Sequence, residues 1–175
     1  MTRPEGGQGK PWVGWADALT LLRLPLAALF VVAHAPRWQL GIIAAAAASD
    51  LGDGALARRL GGSRAGAVLD PVVDKVFMAA AFLTVARRGM LLPVEIVAVL
   101  LRDILAVVGF VGSALLRRPL ALPARAGGKA VTVGQLLTLV AAVEASTLVR
   151  PLAWASAGIG LYAIWDYGRA ARRAP

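Results

Sequence analysis

The chain has 175 residues, room for one domain, and its 58% hydrophobic content with a mean hydropathy of +0.68 is that of a helical membrane protein. A formal charge of +9 raises nucleic acid as a partner, but the basic residues stand in short clusters between apolar runs, as at Arg58-Arg59, Arg117-Arg118 and Arg172-Arg173. That pattern orients membrane proteins and attracts anionic headgroups, so nucleic acid is set aside; the absence of cysteine also excludes disulfides, thiolate catalysis and Cys-based metal sites.

Residues 1–11 (MTRPEGGQGKP) are polar and rich in Gly and Pro, and a flexible segment is expected there, followed by a single domain over 12–175. The stretch PWVGWADA has two tryptophans and suits a short interfacial helix at headgroup level. Six apolar segments then predict an all-α, polytopic fold with six transmembrane helices: Ala18–Ala35, Gln39–Ala57, Ala67–Ala86, Leu91–Leu116, Val131–Val149 and Leu152–Tyr167. Arg3 and Lys10 ahead of a run ending in Ala33-His34-Ala35 raise a cleaved signal peptide, but Arg23 and Pro25 interrupt that run. The alanines from Ala44 to Ala48 let helix backbones approach closely in lipid.

With six spans both termini share one side, and that side collects 12 Lys and Arg residues against 4 on the other, Arg37, Arg87, Arg88 and Arg150. Basic loops stay inside, so a multi-pass protein of the inner (plasma) membrane is expected, with both termini in the cytoplasm.

Four carboxylates interrupt the apolar pattern. Helical residues turn by about 100° each, so positions three, four and seven apart share a face. Asp50, Asp53, Gly54 and Ala57 form one stripe near the cytoplasmic end of the second span, and Gly66, Asp70 and Asp74 form another on the third. The short connection RRLGGSR predicts that these helices are antiparallel neighbours with facing acidic stripes. Insertion costs about 3 kcal/mol for one Asp at a helix centre, so four unpaired carboxylates would cost on the order of 10 kcal/mol. Lys75 and Arg58 cannot balance four charges. An all-oxygen donor set without His or Cys suits Mg²⁺ or Mn²⁺, as a pair of ions. Solvated or salt-bridged interfacial charges are the plainer alternative.

The series Asp50, Asp53-Gly54, Ala57-Arg58, Gly66, Asp70, Asp74 resembles the signature of the CDP-alcohol phosphatidyltransferases, matching eight fixed positions over 25 residues. The resemblance implies a six-span enzyme, commonly a homodimer, in which the four aspartates hold two divalent cations that grip the diphosphate of CDP-diacylglycerol. It makes Asp50, Asp53, Asp70 and Asp74 metal ligands and Asp74 also the general base for the acceptor hydroxyl. By the same resemblance Gly54, Ala57 and Gly66 leave room for the nucleotide, Arg58 meets phosphate, and CMP leaves.

The segment ADALTLLRLPL is similar to the opening element of the phosphatidylglycerophosphate synthases and eukaryotic-type cardiolipin synthases, with Asp17 where Asn is usual. LDPVVDK resembles the same groups, and GGKAVTVGQ the "G-K-x-x-T-x-x-Q" element of the glycerophosphate enzymes. Glycerol 3-phosphate is therefore the favoured acceptor, with phosphatidylglycerol and inositol phosphate as alternatives. Lys129 and Thr132 stand at a helix start that favours an anion, although Lys129 also suits a lysine reaching towards the interface. Arg102, within a span, is an acceptor-binding candidate or the partner of Glu95 or Asp103; Arg23 is similar. His34 is expected to be solvated, Glu144 and Asp166 interfacial or helix-pairing, and Trp38, Trp154 and Trp165 interfacial anchors. A membrane prenyltransferase fits less well because Ala57 stands where its first motif needs an acid. A cation carrier would hold its carboxylates nearer the bilayer midplane.

Overall fold

The structure is a computed structural model that describes residues 14–60, 63, 66–115 and 126–171. Six helices make up the regular structure of these residues: α1 (Trp15–Val32), α2 (Pro36–Leu60), α3 (Gly66–Arg87), α4 (Pro93–Leu115), α5 (Ala126–Val143) and α6 (Val149–Ala171). Each corresponds to one expected apolar segment. The N-terminal segment 1–11 lies outside the described residues, as do Pro11–Val13 of the expected interfacial helix. The described remainder of that stretch is not a separate element: Gly14 is the N-cap of α1 and Trp15 begins it. Asp17 in the first turn accepts the Gly14 N–H at 2.8 Å, which satisfies one donor that a helix start leaves unpaired.

The helices terminate where backbone chemistry demands. α3 runs to Arg87 and is followed by Gly89 at φ +69°, a left-handed conformation that glycine adopts without steric cost. Pro36 and Pro93 each open a helix at a position where the missing N–H would have had no partner. Pro25 and Pro71 lie inside α1 and α3, which continue through them.

Packing gives the first departure from expectation. α1 lies against both α2 and α3, and α5 against α6, with further contact from α4 to α6 and α3 and from α5 to α2 and α3. α2 and α3 were expected as direct neighbours; among the described residues it is α1 that packs against both. The physical reason is on α1 itself, whose Thr20 and Arg23 supply the hydroxyl and the cation that the two acidic stripes would lack if they met directly.

The apolar core occupies the half of the bundle away from the aspartates. Ala27 and Phe30 of α1, Ile43 and Ala46 of α2, and Phe77, Met78, Ala81 and Phe82 of α3 pack there with Leu139 of α5. Phe30 and Phe77 meet edge to face, ring centroids 6.3 Å apart. α5 and α6 approach closely because Gly134 has no side chain, since a Cβ there would stand 2.5 Å from Ser156 Oγ.

The distribution of polarity is inverted relative to a water-soluble bundle. Arg23, Gln39, Glu95, Asp103 and Gln135 are buried, while Val32, Trp38, Val108, Leu161 and Trp165 are exposed. The interior polar residues lower the hydropathy of the helices that carry them. Among the described residues no helix is both long and apolar enough to cross a membrane. The expectation of six spans is thus met in helix number and not in hydropathy.

Candidate active site

The site is built where the C-terminal part of α2, the N-terminal part of α3 and the first half of α1 come together. Asp53 is buried and its carboxylate is bound by the guanidinium of Arg23, which also reaches Asp50 at 3.1 Å. Arg23 is itself 2% exposed, and its Nε donates to Ser49 Oγ at 3.1 Å. Thr20, one turn earlier on α1, donates its hydroxyl to Asp70 and lies 3.2 Å from Asp53 Oδ2. One residue of α1 therefore ties Asp50 to Asp53, and another ties Asp53 of α2 to Asp70 of α3. Arg23 and Thr20 thus link three of the four carboxylates, and Asp74 shares a cavity wall with Asp50.

Asp74 lies on the wall of a cavity of about 410 Å³. Arg23, Asp50, Lys129 and Thr132 contribute its polar lining, and Leu51, Phe77, Met78, Val133 and Leu136 are among the apolar residues. The cavity thus joins the acidic stripes of α2 and α3 to the start of α5. Thr132 donates to the Gly128 carbonyl at 3.3 Å, and Lys129 is exposed. Arg58 is exposed on the last turn of α2. The helix position of Ala57 is described, but its side chain lies outside the description.

Two glycines of the signature have different surroundings. A Cβ on Gly54 would make an ordinary 3.4 Å contact with Arg58 Nη1, so the protein itself leaves that position open. A Cβ on Gly66 would collide with Asp17 Oδ1 and stand 2.9 Å from Ser63 Oγ. Gly66 is required by the protein's own packing: Ser63 Oγ donates to Asp17 at 2.7 Å and accepts the Gly66 N–H at 2.7 Å. Asp17, which departs from the usual Asn, keeps a hydrogen-bonding role and anchors the α2–α3 connection to α1.

Arg102 is not among the cavity-lining residues. It pairs with Asp103 at 3.0 Å, the second of the two roles open to it from sequence. Glu95, the other partner considered, accepts the Leu92 N–H at 2.7 Å and lies 3.5 Å from Arg150. His34 and Glu144 are exposed. Trp38, Trp154 and Trp165 are exposed as well, and Arg169 lies over the Trp165 ring at 4.5 Å.

Sequence reasoning passed over Thr20, which sits in ADALTLLRLPL one turn before Arg23; that i, i+3 spacing was the available signal. It also gave Lys75 no role beyond charge balance, although Lys75 Nζ stands 2.9 Å from Asp74 Oδ2.

The four aspartates offer only carboxylate oxygens, the donors that Mg²⁺ and Mn²⁺ prefer. Among the described residues no three acidic side chains are gathered closely enough to form a metal-ligand group. The carboxylates are instead held by Arg23, Thr20 and Lys75, whose donors occupy oxygens a cation would take. In donor chemistry the set fits a divalent ion, with Arg23 supplying positive charge at Asp50 and Asp53.

A protein-family comparison places this arrangement. The profile of the CDP-alcohol phosphatidyltransferases matches residues 14–163, which covers all four aspartates, and the chain belongs to that family. Two curated relatives, from Mycobacterium tuberculosis (strain ATCC 25618 / H37Rv) and Mycobacterium bovis (strain ATCC BAA-935 / AF2122/97), are each named "Putative cardiolipin synthase". Each is 35% identical over 123 residues, which is 67% of this chain and 58% of the relative's length. The match therefore spans somewhat more than half of those relatives.

Proposed function

We propose that the chain is a membrane-embedded transferase that moves a phosphatidyl group from CDP-diacylglycerol to glycerol 3-phosphate, giving phosphatidylglycerophosphate and CMP. The observation that carries this reading is the cavity: Asp50 and Asp74 stand on its wall beside Lys129 and Thr132, and the rest of its lining is largely apolar. A lipid-linked diphosphate needs that combination of an acid-lined end and an apolar wall.

In this reading Asp74 takes the proton of the acceptor hydroxyl. The hydroxyl oxygen then forms a bond to the phosphorus that bears diacylglycerol, and the bond from that phosphorus to CMP breaks. Asp50, Asp53, Asp70 and Asp74 would hold Mg²⁺ or Mn²⁺, which supplies charge neutralisation of the diphosphate. Gly54 leaves the nucleotide its approach, Arg58 meets phosphate, and Lys129 and Thr132 receive the acceptor phosphate. Arg102 is paired with Asp103 outside the cavity lining, and this reading leaves acceptor binding to Lys129 and Thr132.

Embedding in a membrane is supported by the exposed Leu, Val and Trp side chains and by the turning of charged groups inward. The excess of basic residues on the side that carries the site supports a cytoplasmic active site. A homodimer is part of the same proposal and is checked by the mass of the purified protein in detergent.

A second acceptor, phosphatidylglycerol giving cardiolipin, is favoured by the names of the relatives. Release of CMP from CDP-diacylglycerol is measured with glycerol 3-phosphate, phosphatidylglycerol and inositol phosphate in turn. The proposal expects glycerol 3-phosphate to be used most efficiently, with activity lost on chelation and restored by Mg²⁺ or Mn²⁺. Preference for phosphatidylglycerol would replace the first acceptor by the second; no CMP release with any acceptor overturns both.

A further inference from the structure

Asp74 is held from outside the acidic stripes. Lys75 Nζ lies 2.9 Å from Asp74 Oδ2 and 2.8 Å from Asp103 Oδ1 of α4. Asp103 is 4% exposed and Lys75 is largely enclosed. Asp103 Oδ1 also accepts from Arg102 Nη1 at 3.0 Å, and its Oδ2 accepts from Gln135 Nε2 at 2.6 Å. Gln135 is fixed in turn, because the same amide nitrogen donates to the Val99 carbonyl at 3.0 Å.

A lysine has a long, rotamer-rich side chain, and a lone lysine–aspartate pair seldom holds one geometry. Here the ammonium is pinned between two carboxylates, and the far carboxylate is pinned by two further donors. The chain of contacts crosses from α3 to α4 to α5. Its last member, Gln135, lies on the helix whose Lys129, Thr132, Val133 and Leu136 line the cavity. Asp103 is shared between the two cations, meeting Arg102 beside it on α4 and Lys75 across the gap to α3.

We propose that Lys75, Asp103 and Gln135 are positioning residues for phosphatidyl transfer: Gln135 orients Asp103, Asp103 anchors Lys75, and Lys75 fixes the Asp74 carboxylate against the cavity. The inference rests on Asp74 acting as the proposed base. Its signature is a fall in kcat with little change in KM, because the three residues stand behind Asp74 and not on the substrate.

The test measures kcat and KM for CDP-diacylglycerol and for the acceptor in Lys75→Met, Asp103→Asn and the double variant, with wild type and Asp74→Asn alongside. Each single variant is expected to lower kcat at least tenfold with both KM values within about twofold of wild type. The double variant should fall no further than the weaker single, since one coupled unit has been broken twice. Lys75→Arg, which keeps a donor at both carboxylates, should recover most of the kcat lost in Lys75→Met.

Asp103→Asn with kcat within twofold of wild type overturns the inference, as do losses that multiply in the double variant. If Asp103→Asn does not fold, Gln135→Leu takes its place, with the same tenfold fall in kcat expected and unchanged kcat overturning. Wild type that releases no CMP, or Asp74→Asn that remains fully active, overturns the reading of the site itself. Loss in Asp74→Asn with none in the other variants overturns the positioning role alone.

Discussion

The two ends of the bundle bury polar side chains for different purposes. At the end opposite the aspartates, Gln39 donates to the carbonyls of Phe30 and Ala33 and accepts from Arg88 Nη1 at 2.9 Å. Glu95 caps the Leu92 N–H and meets Arg150. Most of those bonds satisfy backbone groups left over at helix ends. At the aspartate end the contacts run from side chain to side chain: four carboxylates, Asp50, Asp53, Asp74 and Asp103, meet three cations, Arg23, Lys75 and Arg102, and Asp70 accepts from the Thr20 hydroxyl. One end is complete in itself. The other stands beside a cavity whose polar lining mixes both signs, Asp50 and Asp74 with Arg23 and Lys129, and it is there that the proposed function puts cations and phosphate.

The sharpest way to break that comparison is to remove a polar side chain from each end in turn. Asp74→Asn keeps the shape of the side chain and removes its capacity to accept a proton. A roughly thousandfold fall in CMP release is expected, within the usual contribution of a general base, while the thermal midpoint stays near that of wild type. Full activity in this variant would remove Asp74 from the role of base.

Arg23→Met is the largest expected stability effect. It leaves buried Asp53 without its guanidinium partner, and breaking a buried pair from one side costs about 3–5 kcal/mol. Adding Asp53→Leu to Arg23→Met should recover part of that loss, because the uncompensated charge is then gone. Gln39→Leu at the other end strands the Phe30 carbonyl and takes an acceptor from Arg88 Nη1, while the Ala33 carbonyl keeps Arg88 Nη2 at 3.4 Å; it should cost less, about 1–3 kcal/mol, with kcat unchanged. Thermal unfolding in detergent ranks the three; a smaller loss for Arg23→Met than for Gln39→Leu would show that Arg23 is not the main support of the acidic stripes.

The same contrast marks what was legible in the sequence. Asp50, Asp53, Asp70 and Asp74 could be placed on two faces because helical periodicity is local and their spacing is regular. Six helices followed from six apolar runs for the same reason. The insertion of α1 between α2 and α3 could not be read, because a short connection suggests adjacency and because Thr20 and Arg23 act across 30 or more residues of chain. The Lys75–Asp103 contact is equally non-local. The burial of Arg23 was also illegible, since hydropathy averaged along a segment cannot distinguish an arginine facing the bundle interior from one facing its surroundings. Gly66 was assigned to the nucleotide when its nearest claim comes from Asp17 and Ser63.

That last point yields a comparison within the signature. Gly66→Ala forces a methyl against Asp17 Oδ1 and Ser63 Oγ, and overpacking of this kind costs about 1–3 kcal/mol. Gly54→Ala meets only an ordinary contact, and replacing glycine inside a helix should stabilise by about 0.5–1 kcal/mol. If the space at Gly54 belongs to the nucleotide, this variant is more stable and has a raised KM for CDP-diacylglycerol. An unchanged KM would return Gly54 to ordinary helix packing.

The smallest effect belongs to Arg150→Ala. Its guanidinium is more than half exposed and stands 3.5 Å from Glu95, long for a charge-assisted bond. Glu95 keeps its hydrogen bond from the Leu92 N–H when Arg150 is removed, so the buried carboxylate is not left without a donor. A long pair whose arginine is open to its surroundings contributes about as little as a surface pair, about 0–1 kcal/mol, and a shift in thermal midpoint of that size with unchanged kcat is expected. A drop in kcat would mean that the two ends of the bundle are coupled through α4, whose N-terminal turn carries Glu95 and whose middle carries Asp103.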